Sequence, residues 1–541
     1  MNYERIPGFE RPERIKREYA YLDLETRELR GKASFDGQKG GFPLMYDKES
    51  KALVVDSTDS HTVVFGSSGS KKTRLVVLPA IHALAAGEES MIIHDPKAEL
   101  FARTAGMLKS KGYRVISINL RDPSVGDSWN PLTIPYSYFK QNDIDKACEL
   151  VNDVAHILMR KDQIVGDRFW IDSASSTCYG LILLLFRYCR DMNLPDSAVN
   201  IANLIELRGA LFDLSNKQKP SQSWLWKWGA EDELVAAALR GTVTTAEETM
   251  QGVLSTLDQE LRRFMIKPTL LNMLSNNTFD MEQIGKEKTC VFLITPDEKS
   301  SAFRALVSLF IAQSYQYLIY SAEKSGGRVE RRINYLLDEF SSLPEIGDDS
   351  FPSMVTAARS RNIRFLIVLQ SLHQLSTRYR EEAQTIMANC SNWLCLFTRE
   401  LELLKQISEL CGQRKKDGKA NISVYDLQHL SKEKNECLLL AGRMKPAVVR
   451  LLDITKLDHD RPLPCEMETP LRMKRIRIDF SKKPKEINTA GSKAAEPATA
   501  TKVSVSVPAC GDQSPDKDVL KTAGSFLAGL NGLFDDMHDN A

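Results

Sequence analysis

The sequence has no two cysteines at C-x-x-C spacing; its 10 cysteines are scattered, and the nearest two, Cys390 and Cys395, lie in an apolar stretch. That pattern excludes a zinc ribbon and a disulfide framework, and it leaves reduced thiols in a buried core. No uninterrupted apolar run approaches the ~18 residues that a membrane-spanning helix needs. The best candidates, Gly180 to Phe186 and Phe365 to Leu369, are far shorter. The polar start, Met1-Asn2-Tyr3-Glu4-Arg5, lacks a secretory leader pattern. An excess of one charge is missing too, since 72 basic and 71 acidic side chains leave a formal charge of +1. No whole-protein basic field is available to hold nucleic acid, so any such contact must be local. The expectation is a cytoplasmic chain without a transmembrane segment, free or peripheral at the inner face of the cell membrane.

What is present is globular in composition, 43% hydrophobic and 26% charged over 541 residues, enough for two or three folded units. From Thr62 onward, short β-rich apolar runs alternate with longer helical stretches, as parallel βαβ units require. The predicted strands are Thr62 to Phe65, Met91 to His94, Val115 to Ile118, Cys290 to Ile294, Tyr335 to Leu337, Phe365 to Leu369 and Trp393 to Phe397. Both faces of these runs are apolar, which a sheet covered by helices on each side demands. Between residues 136 and 281 helical periodicity takes over. The fold class expected is α/β, a domain with a mostly parallel sheet built from 31–135 and 282–478, interrupted by a mostly α-helical insertion. Residues 1–30 read as a polar N-terminal segment. Residues 479–541 read as a flexible linker rich in Ala, Ser, Thr, Pro and Lys, closed by a short amphipathic helix over Val519 to Met537. The run Trp224-Leu225-Trp226-Lys227-Trp228 could stack on bases, although a core or interface role fits its setting better.

The segment Gly66-Ser67-Ser68-Gly69-Ser70-Lys71-Lys72-Thr73 follows a strand and opens a helix, the setting of a Walker A phosphate loop. Small residues let successive backbone N–H groups curl around a triphosphate, and the helix N-terminus adds partial positive charge. Lys72 is expected to reach the β- and γ-phosphates and the Thr73 hydroxyl to ligate Mg²⁺. Lys71 stands where the strict pattern has glycine. Far downstream, the apolar strand ending Leu336-Leu337-Asp338-Glu339 supplies a Walker B pair. Asp338 would hold the Mg²⁺ and Glu339 would activate the attacking water. Arg331-Arg332, Arg414-Lys415-Lys416 and Arg472 to Arg477 are short basic groups that could meet phosphate.

With these motifs in order, the chain resembles the type IV coupling proteins of conjugation and type IV secretion, the TraG-like family, over roughly Gly31 to Asp453. The likeness also rests on Asp95-Pro96-Lys97-Ala98-Glu99, Asn130-Pro131-Leu132, Phe169-Trp170, Thr295-Pro296-Asp297-Glu298, Arg359-Ser360-Arg361 and Gln370-Ser371-Leu372-His373-Gln374-Leu375. The resemblance implies a RecA-like domain with an all-α domain, assembled as a homo-hexameric ring that hydrolyses ATP with Mg²⁺ between subunits. It implies recruitment of a relaxase with its attached DNA strand, and delivery of both to the secretion channel proteins. By position, Arg359, or Arg361 after it, would supply a cation to a neighbour's γ-phosphate, and Gln370 would sense the nucleotide. Typical members carry transmembrane helices ahead of the nucleotide-binding domain. Here only the polar Met1 to Arg30 precedes it, so a separate membrane anchor or a soluble relative is expected. Two other readings are a soluble FtsK/HerA-like DNA translocase and a substrate receptor whose nucleotide site is degenerate at Lys71.

Overall fold

The computed structural model describes residues 9–32, 40–159, 168–213, 219–265, 267–296, 301–344, 346, 350–414, 418–456 and 462–484. Asp297, Glu298, Lys415, Lys416, the linker beyond 484 and the terminal helix fall outside them. Short runs in the charged N-terminal stretch pair into a four-stranded antiparallel sheet made of β1 (Ala20–Asp23), β2 (Leu29–Gly31), β3 (Phe42–Asp47) and β4 (Ala52–Asp56), in the order β2-β1-β4-β3. Residues read as a polar segment therefore contribute two strands, preceded by the helix Pro12–Glu18.

The second sheet has nine strands: β5 (Thr62–Phe65), β6 (Ser90–Asp95), β7 (Arg114–Asn119), β8 (Thr289–Ile294), β9 (Ile333–Leu337), β10 (Ile363–Leu369), β11 (Asn392–Cys395), β12 (Glu436–Ala441) and β13 (Ala447–Arg450). Their order is β13-β12-β11-β5-β10-β9-β6-β8-β7. The seven strands from β11 to β7 run parallel, and the hairpin β12-β13 extends one edge antiparallel. Side chains alternate faces along each strand. On β10, Phe365, Ile367 and Leu369 enter one apolar core, while Leu366 and Val368 enter the other. The first core continues into the helices between β7 and β8; the second is closed by β3, β4 and the helix Leu78–Ala86.

The crossover from β7 to β8 is a helical bundle running from Thr133–Lys140 to Glu282–Lys286. Asn130 fixes its entry: the side-chain oxygen accepts from Leu132 N at 3.1 Å, and the amide nitrogen donates to the Val199 carbonyl at 2.7 Å. Among the described residues, Arg168–Asp191 alone is long and apolar enough to cross a membrane. Ser173, Ser175, Ser176 and Thr177 interrupt its first half, so it contains no unbroken apolar run of that length. Its apolar face, including Leu181, Leu184 and Phe186, is buried in the bundle.

The tryptophan run is also packed. Trp226 is buried, and the Arg187 guanidinium lies 4.4 Å from the Trp228 ring centroid. Order persists past residue 479, where the composition shifts. The Tyr188 hydroxyl donates to the carbonyls of Asp479 at 3.2 Å and Lys482 at 2.9 Å, and Phe480 is buried against the same ring. The nine described cysteines are free thiols, seven of them buried, as their scattered spacing implied.

Candidate active site

Parallel sheets gather ligands beyond the carboxyl ends of their strands. At that edge β5 delivers Gly66, β10 delivers Gln370, β9 delivers Asp338 and Glu339, and β6 ends in Asp95. Register brings them together: Phe65 pairs with Leu369, and Leu337 with both Ile367 and His94.

The phosphate loop is held at its start, where Gly66 N donates to the Leu369 carbonyl at 3.2 Å and Ser67 N to the Phe397 carbonyl at 3.0 Å. Gly66 is required by crowding, because a Cβ there would meet Ser70 Oγ at 2.4 Å. Gly69 has φ +73°, the left-handed region that glycine occupies without strain. A widened π-helical turn, Thr73–Val77, then leads into Leu78–Ala86. Lys72 is buried and folds back over the loop, donating to the Gly66 carbonyl and, at 3.1 Å, to the Ser67 carbonyl. Burial lowers the pKa of its ammonium, which the nearby Asp338 and Glu339 charges partly offset.

The two motifs meet directly. Thr73 Oγ1 donates to Asp338 Oδ2 at 3.0 Å, and Asp338 Oδ1 accepts from Glu339 N at 3.0 Å. Burial pushes the Asp338 carboxyl up to about 6, a site whose ionised form calls for a cation. Glu339 has φ +54°, a left-handed position that costs a non-glycine residue about 1–2 kcal/mol. Its carboxylate lies 3.8 Å from Lys97 Nζ. Asp95, likewise raised to about 6 by burial, accepts from Phe101 N at 2.8 Å, so it ties the start of the helix Glu99–Ser110 to β6. His94 Nδ1 lies 2.6 Å from the Asp338 carbonyl, which can only accept, so Nδ1 carries the proton; burial lowers this imidazole to about 4 and keeps it neutral.

A magnesium–triphosphate group fits these residues. Ser70 Oγ is buried without a hydrogen-bond partner among the described residues, the glycine loop leaves a cradle, and Thr73 with Asp338 forms a hydroxyl–carboxylate oxygen pair suited to a hard cation. Lys71 does not crowd this cradle. With φ +68° it takes the left-handed conformation of the glycine it replaces, and its Nζ donates away to the Lys432 carbonyl at 3.1 Å and Asn435 Oδ1 at 3.0 Å.

Arg359 and Arg361 are elsewhere. Their turn, Arg359–Arg361, precedes β10, at the amino edge of the sheet. The length of β10, about 20 Å at ~3.3 Å per residue, separates them from their own phosphate loop. Arg361 bonds the Gly327 carbonyl at 3.1 Å, while Arg359 is exposed. The proposed phosphate contact at Arg332 is corrected: it is fully buried, donating to Ser57 O, Asp59 Oδ1 and Asn362 Oδ1. Arg472 is likewise spent on the carbonyls of Pro123 and Gly126.

One residue of the crevice escaped the sequence reading. Glu400, just after β11, accepts from Ser371 Oγ at 3.1 Å, Leu372 N at 2.8 Å and His373 N at 2.9 Å, and so fixes the turn that follows Gln370. Its only signal was a charged residue beyond a strand's carboxyl end.

The family model described as Type IV secretory system Conjugative DNA transfer matches residues 16–452. No curated protein matches the chain by sequence. Among solved structures, the unbound bacterial conjugative coupling protein TrwBdeltaN70 is similar at 15% identity and TM-score 0.52, covering 76% of this chain and 88% of that one. The plasmid coupling protein TrwB with ADP and Mg²⁺ aligns at 16% identity and TM-score 0.54, covering 82% and 93%. TrwB with a non-hydrolysable ATP analogue, ADPNP, aligns at 15% identity and TM-score 0.52, covering 74% and 87%. The chain thus has the RecA-like P-loop fold and belongs to the type IV secretory system conjugative DNA transfer family, the type IV coupling proteins.

Proposed function

We propose that the chain binds ATP with Mg²⁺ between the turn Gly66 to Thr73 and the pair Asp338-Glu339, and hydrolyses it to drive DNA toward a type IV secretion channel. The observation that carries this reading is the Thr73–Asp338 contact, which joins the two motifs across 265 positions of sequence. Lys72 would bind the β- and γ-phosphates, Thr73 and Asp338 would hold Mg²⁺, and Glu339 would orient and deprotonate the attacking water. Gln370, at the end of the strand between β5 and β9, would report the state of the γ-phosphate.

Arg359 serves this chemistry only in a neighbouring copy, because a full strand separates it from its own crevice. That placement supports a homo-hexameric ring with the nucleotide between subunits, and it favours Arg359 over the tethered Arg361. In this reading the helical insertion, 136–281, receives the relaxase and its strand, channel proteins take them onward, and a separate protein anchors the ring at the inner face of the membrane. The family match supports conjugative transfer over the soluble translocase reading. The turned-away Lys71 side chain speaks against a degenerate nucleotide site. DNA-stimulated ATP hydrolysis measured together with oligomer mass tests the proposal. A stimulated ring is expected, and a monomer with DNA-independent or absent turnover would contradict it.

A further inference from the structure

The contacts of Lys71 bring a second lysine to the phosphate loop. The turn that opens β12, Ser431 to Asn435, lies at the carboxyl edge because β12 runs antiparallel to β11, with Leu438 opposite Cys395. Lys71 Nζ grips this turn at two points, the Lys432 carbonyl and Asn435 Oδ1, and Ser431 N donates to Glu436 Oε2 at 2.9 Å. The grip leaves the Lys432 ammonium over the crown of the loop, where a Cβ added to Gly69 would stand 3.8 Å from Lys432 Nζ. Gly69 lies in the stretch whose backbone would wrap the phosphates, and its lack of a side chain leaves the approach open.

Sheet order fixes which part of a nucleotide this lysine can meet. Asp338 and Glu339 stand on the β9 side of β5, whereas β12 stands on the other side, beyond β11. Magnesium and the γ-phosphate would sit with the carboxylates, so the α-phosphate and ribose would lie toward β12. We propose that Lys432, positioned by Lys71, is a further nucleotide-binding residue that contacts the α-phosphate side of the ligand, so that the lysine at the glycine position builds part of the site. The inference rests on the nucleotide reading above and assigns a ligand contact outside both Walker motifs.

Two features separate this role from a structural one. Lys432 is exposed and its ammonium does not hold its own turn together, since the contacts of that turn run through its backbone and through Lys71, Asn435 and Glu436. An α-phosphate contact also serves ADP and ATP alike, whereas Lys72 acts where the two ligands differ.

The test titrates the full-length protein with fluorescently labelled ADP and ATP, each with Mg²⁺, in the wild type and in Lys432→Ala, Lys432→Arg, Lys71→Gly and Lys72→Ala variants. Lys432→Ala should weaken both nucleotides by the same factor, about tenfold for a lost charged hydrogen bond, and ATP hydrolysis should show this as a raised KM. Lys432→Arg should recover most of the affinity, and Lys71→Gly should cost about threefold by freeing the turn. Binding by Lys432→Ala within twofold of wild type, or a loss confined to kcat, overturns the inference. Absence of nucleotide binding by the wild type, or normal binding and turnover by Lys72→Ala, overturns the nucleotide reading instead.

Discussion

The two edges of the nine-stranded sheet both bury charge, and they treat it in opposite ways. At the amino edge, Arg364 donates to Glu89 at 2.7 Å, to Asn334 Oδ1 at 2.9 Å and to the carbonyls of Asp56 and Thr58, and its guanidinium lies over the Phe42 ring. Arg332 beside it donates to three further groups. These pairs join the N-terminal sheet to the large one. At the carboxyl edge, Asp338 and Asp95 are buried with raised pKa values, Ser70 Oγ has no hydrogen-bond partner among the described residues, and Lys71 and Glu339 occupy left-handed backbone. Buried charge set against opposite charge, as Glu89 is against Arg364, is architecture; buried carboxyls with raised pKa values beside strained backbone mark chemistry.

Breaking the architectural edge should give the largest effect on stability. Arg364→Ala removes the closest cation from the buried Glu89 carboxylate, and chemical denaturation should show a loss of about 3 kcal/mol, with nucleotide affinity unchanged under conditions where the variant stays folded. Arg359→Ala probes the same edge for a role in assembly. ATP turnover should fall about 100-fold with affinity retained, and mixing this variant with Lys72→Ala should restore part of the rate. Two inactive variants that stay inactive when mixed would place the cation supplied by the neighbouring copy elsewhere.

The carboxyl edge should respond in the opposite sense on stability. The unfolded Asp338 carboxyl titrates near 3.8 and the folded one near 6, so folding takes up a proton between those values. The ionised form therefore costs stability that grows as pH rises through that window. Asp338→Asn should raise the Tm of the nucleotide-free protein by about 1–3 °C at pH 8, and by less at pH 4, while abolishing Mg²⁺-dependent turnover. An equal Tm gain at both pH values would remove the titration argument. The smallest effect belongs to Lys71→Gly: relief of left-handed strain is offset by the loss of two hydrogen bonds and by glycine's entropy, leaving a net stability change under about 1 kcal/mol.

The contrast between the edges also explains what could be read from the chain alone. The strands β5, β6, β8, β9 and β10 are buried along their whole length, so each left a mostly apolar run that announced it. β1 and β2 gain order only by pairing, with β1 alternating between buried and half-buried positions inside a charged stretch. β13 is four residues ending in Arg450, too short to stand out from a loop. Asp338 and Thr73 were legible because each sits beside a strand or helix end of recognisable pattern. The Lys71 grip on Asn435 and the Glu400 grip on the Gln370 turn were not, because they join segments that only the folded sheet brings together. The burial of Arg332 was hidden for the same reason: a pair of arginines reads as a solvated face until its partners, Ser57, Asp59 and Asn362, are placed around it.

Single-turnover hydrolysis by Glu339→Gln tests the central claim most directly, because it removes the base and leaves the magnesium and phosphate ligands in place. The account predicts Mg²⁺-ATP affinity within about twofold of wild type and hydrolysis slowed at least about 100-fold. Hydrolysis at the wild-type rate would contradict the joining of the two motifs into one catalytic site.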